Sequence, residues 1–169
     1  IELGLVGSEM CIRDRSGGDA LAVKVDCSDE GEVGLLGIHA WMNRKIDVLV
    51  LNHGRYDRVP AVEMELDDLR RTMKANFEGA VNVWKVVQPH LATNARMVVV
   101  GSQLATRGSP HGADYAASKA ALSTWARSLA LAVGPEGKRV NVLAPGYVDT
   151  DILAGDSDSK RAQRIEEVP

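Results

Sequence analysis

The chain has 169 residues, 45% hydrophobic and 25% charged, so it is one globular domain or part of one. Twenty Lys and Arg against 23 Asp and Glu give a net charge of -3, which argues against a nucleic-acid binder, since that needs a basic face. No apolar run approaches the roughly 20 residues that span a bilayer, and two cysteines neither build a disulfide scaffold nor complete a four-ligand zinc site, so no metal is expected.

The first segment reads as foreign to the rest. Leu5 to Arg15 (LVGSEMCIRDR) has neither hydrophobic period and lacks the apolar core of a signal peptide. It resembles a translated transposase adapter of the kind used to prepare sequencing libraries. Residues 1–15 are therefore set aside, and residues 16–169 are read as the domain. Without Glu2, Glu9, Arg13, Asp14 and Arg15 the net charge is -2, and Cys27 is the only cysteine left. A lone cysteine fits a cytoplasmic setting.

From Ser16 onward short apolar runs alternate with longer amphipathic stretches. Leu21 to Val25 is the first strand candidate. Val33, Leu36, Ala40 and Trp41 follow at helical spacing, although Gly31, Gly34 and Gly37 weaken that helix. Ile46 to Leu51 is the second strand. Two helical stripes come next, Leu66, Leu69 and Met73, then Phe77, Ala80, Val81, Trp84 and Leu91. Met97 to Gly101 is the third strand. Leu122, Trp125, Leu129 and Val133 form a last stripe, stopped by Gly134 and Pro135. Val140 to Ala144 is the fourth strand, and Gly155 to Ser159 is loop-like. The nearly unbroken aliphatics of the second and third strands predict burial on both faces. Strand and helix in alternation predict an α/β fold, a doubly wound parallel sheet with right-handed crossovers.

Ligands of such a sheet bind beyond the carboxyl ends of its strands. Asp26 and Cys27 follow the first strand candidate, Asn52, His53 and Gly54 the second, Ser102 the third, and Pro145 and Gly146 the fourth. Tyr115 and Lys119 are four apart in the helical stretch YAASK and share one helix face. An ammonium beside a phenol favours the phenolate, so Tyr115 is expected to exchange a proton more easily than a free tyrosine. The hydroxyl of Ser102 can hydrogen-bond the same substrate oxygen. Alone, Tyr-x-x-x-Lys also describes a surface pair on a helix.

Together these residues resemble the short-chain dehydrogenase/reductase family, in its single-domain, 3-oxoacyl-(acyl-carrier-protein) reductase-like branch. Leu51–Gly54 resembles the family's Asn-Asn-Ala-Gly turn, Asn76 in KANFEGA stands where the family keeps a catalytic asparagine, and Asp26 matches an acidic residue at the adenine ring. Pro145–Thr150 (PGYVDT) resembles the segment that holds the nicotinamide end. The resemblance runs from about Ala20 to Thr150. It implies a Rossmann-like fold, NAD or NADP as cofactor, and hydride transfer to or from a small carbonyl or secondary alcohol. In that mechanism Tyr115 is the acid or base. Lys119 lowers its pKa and binds the nicotinamide ribose, Ser102 polarises the substrate oxygen, and Asn76 holds a relay water. Asp26, Cys27, Asn52, His53, Gly54, Pro145, Gly146, Val148 and Thr150 are the other cofactor contacts implied. The family also implies a homo-oligomer through the Phe77–Leu91 helix and the YAASK helix, while the charge balance and the short apolar runs leave no nucleic-acid or membrane partner expected.

Each residue has a plainer reading. Asn76 could be a helix irregularity, Ser102 a strand cap, Asp26 the flank of the next helix, and Pro145–Gly146 a simple turn. His53, in place of the family's alanine, reads as a turn residue facing solvent. Leu51 replaces the first asparagine of the turn. The family's Gly-x-x-x-Gly-x-Gly turn is not found, because Gly4, Gly7 and the Gly17–Gly18 pair do not fit its spacing. The expectation is therefore an incomplete domain, with the glycine-rich first strand, turn and helix absent and the 169-residue polypeptide itself inactive. A non-catalytic nucleotide-binding or scaffold protein, a sugar-nucleotide epimerase and a flavodoxin-like binding domain are the competing readings.

Overall fold

A computed structural model describes residues 23–36 and 45–148, with 157, 159 and 162. In chain order the elements are α1 (Glu30–Leu36), β1 (Ile46–Leu51), α2 (Leu66–Met73), a π-helical turn (Lys74–Glu78), α3 (Gly79–Val87), β2 (Leu91–Val100), α4 (Leu104–Arg107), α5 (Ala113–Val133) and β3 (Arg139–Leu143). The three strands are parallel in the order β1-β2-β3, with helices in every connection. This is the expected Rossmann-like parallel sheet flanked by helices.

Register explains where the core lies. Leu49 pairs with Met97, which pairs with Val140, while Leu51 pairs with Val99 and Val99 with Val142. Side chains alternate across a strand, so these six share one face. Leu49, Leu51, Met97 and Val99 are buried there, with Val83 and Val87 of α3 and Leu122 and Ala126 of α5 in the same cluster. Each buried Val, Leu or Met of this set contributes about 1.5–3 kcal/mol by leaving water. Trp125 of α5 stands edge-on to Phe77 and to Trp84, at 6.4 and 6.5 Å between ring centroids, and locks the two helical segments together.

Several expectations are corrected. The sheet is not sealed on both faces by the described residues, because Val48 and Leu143 of the opposite face remain exposed. Aliphatic runs report a strand's tolerance for burial, but coverage depends on what packs against it. Residues 23–26 form no ladder, although Val25 is buried; burial needs only neighbours, whereas a strand needs a paired backbone. Leu21, like Ala40 and Trp41, lies outside the described residues. Leu91 belongs to no helix stripe, since Pro89 sits in a tight turn after α3 and Leu91 is already extended as the first residue of β2. The Leu66 end of the α2 stripe is 58% exposed. The buried residue of α2 is Thr72, whose hydroxyl donates to Asp114 Oδ2 at 2.5 Å.

That pair carries a first prediction. Asp114 is 1% exposed and its Oδ1 has no hydrogen-bond partner. Thr72→Val keeps the shape and removes the remaining partner, so it should cost ~2 kcal/mol of unfolding free energy. Urea denaturation of the two chains measures it, and an unchanged midpoint would refute the coupling.

Candidate active site

A cavity of about 700 Å³ opens at the carboxyl edge of the sheet, within the range of small-molecule sites. Asn52 and Gly54 reach it from the end of β1, Ser102 from the end of β2, and Pro145, Gly146 and Val148 from the segment after β3. Tyr115 and Lys119 enter from the first two turns of α5. Residues far apart in sequence converge because the strands are parallel and all end on one side.

Lys119 is only 2% exposed, and its Nζ donates to the carbonyl of Val100, the last residue of β2, at 2.8 Å. Burial lowers its pKa to about 8. Nζ also lies 5.8 Å from the centre of the Tyr115 ring. The Tyr115 phenol is held above its ordinary value, chiefly by burial; the adjacent Ser102 hydroxyl draws it back and Tyr56 raises it further. The sequence predicted the opposite direction. An i,i+4 lysine supplies charge only from where its nitrogen sits, and here that nitrogen bonds a strand carbonyl while the phenol loses water. Ser102 Oγ also accepts the amide of Leu104 at 3.2 Å, which anchors the hydroxyl as α4 begins.

Asn76 is fully buried inside the π-helical turn. The extra residue of such a turn rotates its side chain away from the helix register. Its Oδ1 accepts the Arg55 amide at 2.6 Å, and its Nδ2 donates to the Arg55 carbonyl at 3.0 Å and to Ser118 Oγ at 2.9 Å. Ser118 Oγ in turn donates to the Tyr115 carbonyl at 2.8 Å. Asn76 is thus both the helix irregularity and a tie between the turn after β1 and the helix carrying Tyr115. Both amide protons have protein partners, so only the oxygen retains a lone pair for a water.

The other described candidates, Asp26, Cys27 and His53, do not line the cavity. Asp26 is exposed, and its Oδ1 accepts the Ser28 amide at 2.8 Å; the Ser28 side chain first and this amide second hold its carboxyl below the usual range. The side chain that caps α1 is Asp29, which accepts the Glu32 amide at 2.9 Å. Cys27 is a core residue, and burial pushes its thiol up to about 11. His53 does not face solvent. Both ring nitrogens are buried without a hydrogen-bond partner, and a Cβ on Gly79 would lie 3.1 Å from Nε2 and 3.2 Å from Cys27 Cβ. Burial, with Lys119 nearby, pushes its pKa down to about 4. Thr150 lies outside the described residues.

Sequence reasoning missed Ser118 and Tyr56. Ser118 sits inside YAASK, but nothing local announces a partner 42 residues away. Tyr56 lines the cavity beside Tyr115, and its only signal was an aromatic residue just past the Gly54 turn. Among the described residues no cluster of His, Cys, Asp and Glu could hold a metal ion, and no helix is long and apolar enough to cross a membrane.

Comparison with known proteins adds the ancestry. A family described as Enoyl-(Acyl carrier protein) reductase matches residues 11–168. Cis-4-hydroxycyclohexanecarboxylate dehydrogenase of Sinomonas cyclohexanicum is 34% identical over 148 residues, covering 85% of this chain and 59% of that protein. The 3-oxoacyl-(acyl-carrier-protein) reductase FabG of Chlamydia pneumoniae is 30% identical over 157 residues, covering 90% and 63%. Among solved structures, a short chain dehydrogenase from Burkholderia cenocepacia in complex with NADP superposes with a TM-score of 0.80 at 34% identity, covering 90% of this chain and 63% of that one. The chain spans about half the length of several curated relatives it matches, 46% and 52% in two cases. With the site geometry and a match along nearly its whole length, the chain belongs to the short-chain dehydrogenase/reductase family.

Proposed function

We infer that the complete protein is an NAD- or NADP-dependent oxidoreductase acting on a small carbonyl or secondary alcohol. The observation that carries this reading is the meeting of Ser102, Tyr115 and Lys119 in one cavity at the carboxyl edge of the sheet. The donor set suits the nicotinamide-ribose end of a dinucleotide: a buried ammonium, a phenol, a hydroxyl and the Asn52 amide face a space of about 700 Å³. When bound, the dinucleotide supplies or takes up the hydride.

The chain's own residues handle the proton and the orientation. Tyr115 gives a proton to the substrate oxygen in reduction and removes it in oxidation. Ser102 holds that oxygen at bonding distance of the phenol. Lys119, with its pKa near 8, is mostly charged at neutral pH and binds the ribose hydroxyls. Asn76 fixes the turn carrying Gly54 and, through Ser118, the helix carrying Tyr115; any relay water meets its oxygen or its main chain. Asn52, His53 and Gly54 adjoin the adenosine ribose, Asp26 and the Cys27 main chain the adenine, and Pro145, Gly146, Val148 and Thr150 the nicotinamide. A homo-oligomer is proposed on the α3 and α5 helices, where Leu131 is 82% exposed. The cytoplasm is proposed as its compartment, consistent with the buried Cys27 thiol.

The test is a nicotinamide assay. The complete gene product should oxidise NADH or NADPH with some member of a carbonyl panel, or reduce the oxidised forms with the matching alcohols. Residues 16–169 alone should bind either dinucleotide weaker than micromolar. A complete product that binds the dinucleotide yet turns over nothing would replace this reading with the non-catalytic one.

A further inference from the structure

Tyr56 lies two residues past the Gly54 turn, in the wall of the cavity. Its ring rests against the ring of Tyr115, with centroids 4.7 Å apart and planes inclined by 40°. Its hydroxyl donates to the carbonyl of His111 at 2.6 Å. The loop that carries Tyr56 is joined to the segment before α5 once more, by an antiparallel bridge between Pro60 and His111 in which the Ala61 amide donates to the Pro110 carbonyl at 2.9 Å.

The start of α5 is shaped around this ring. Gly112, the residue before the helix, has φ +128°, a conformation that side-chain-bearing residues avoid. A Cβ there would come within 2.3 Å of Tyr56 Cε2, so the tyrosine ring occupies the space a side chain at 112 would take. Tyr115 follows in the first turn of the helix. Its ring has two partners, the Lys119 ammonium from its own helix and the Tyr56 ring from the loop after β1. On the same loop Arg58 has φ 57° and lays its guanidinium over Tyr56, 5.7 Å from the ring centre.

We propose that Tyr56 is a positioning residue: it sets the orientation of the Tyr115 ring and the phase of the helix start that carries it. The catalytic half of this statement rests on the oxidoreductase reading above; the positioning half does not. Tyr56 also helps hold the Tyr115 phenol above its usual range, as a second phenol pressed against it should.

Two variants separate ring from hydroxyl. Tyr56→Phe keeps the ring contact and removes the bond to His111, whereas Tyr56→Leu removes both. In the complete enzyme Tyr56→Leu should lower kcat by about ten- to a hundredfold with KM little changed, the effect of a reacting group displaced by a fraction of an ångström. Tyr56→Phe should restore most of that loss. The second readout needs no turnover. The chain has three tyrosines, so ring-carbon NMR titration of the 169-residue protein can follow Tyr115 once Tyr56 and Tyr147 are assigned by substitution. Tyr115 should titrate at lower pH in Tyr56→Leu than in the parent, with Tyr56→Phe between them. An unmoved Tyr115 titration in folded Tyr56→Leu, or kcat equal to the parent's, would overturn the proposal. Absent turnover in the parent together with a shifted Tyr115 titration would sink the oxidoreductase reading and uphold the positioning.

Discussion

Replacing Tyr115 by Phe in the complete protein should lower turnover by about a hundred- to ten-thousandfold, the usual contribution of a positioned acid or base. Fold and dinucleotide affinity should survive. Phenylalanine preserves the ring that lies 4.7 Å from Tyr56, and the main-chain carbonyl that accepts Ser118 Oγ is untouched. What disappears is the one hydroxyl able to exchange a proton beside Ser102. The phenol is held above its ordinary value, so reduction, which needs it protonated, should persist into alkaline solution and fade only as pH passes that raised value. Steady-state rates, a dinucleotide titration and a thermal melt of the two proteins decide the matter. Equal rates would remove Tyr115 from the chemistry and favour the non-catalytic reading.

Acidification from pH 6.5 to 4 should cost the fold about 3 kcal/mol through His53 alone, since each tenfold loss of proton affinity on folding is worth about 1.4 kcal/mol. Folded His53 has its pKa pushed down to about 4 from the 6.5 of a free histidine, by burial first and Lys119 second. Between those values the unfolded chain binds a proton that the folded chain refuses. The stabilisation is therefore complete above about pH 6.5 and is lost as pH falls toward 4. The ring cannot relieve this locally, because neither nitrogen has a hydrogen-bond partner and Gly79 packs so close that a Cβ there would lie 3.1 Å from Nε2. Urea denaturation at several pH values should show a steep acid limb in the parent and a shallower one in His53→Ala. The slope, rather than the absolute stability, is the readout, since the alanine also leaves a cavity. Parallel limbs would mean that His53 is solvated.

Much of the site is legible in the sequence because its parts are local. Tyr115 and Lys119 are bound to share a face once YAASK is helical, and the alanines and Leu122, Trp125, Leu129 and Val133 make it so. Ile46 to Leu51 and Met97 to Gly101 announce strands, and their polar ends mark the ligand edge. Asn76 can be named on a family match, but not its actual work. Its partners Arg55 and Ser118 are 21 and 42 residues away, and only the π-helical turn aims the side chain at them. Tyr56 has no periodic signal, since it lies in a loop that becomes meaningful only when Gly112 brings α5 against it. Leu91 misleads because one apolar residue suits a helix face or a strand equally well.

By itself the sequence determined the central strands, the parallel α/β class and the shared face of Tyr115 and Lys119, because these follow from spacing over a few residues. The tertiary structure alone decided protonation and burial. Only in the folded chain is the Tyr115 phenol raised rather than lowered, His53 turned inward, Cys27 placed in the core and, among the described residues, Val48 and Leu143 of one sheet face left exposed. Those properties depend on how much water each group keeps and on which distant atoms surround it, and neither quantity is carried by any short stretch of chain.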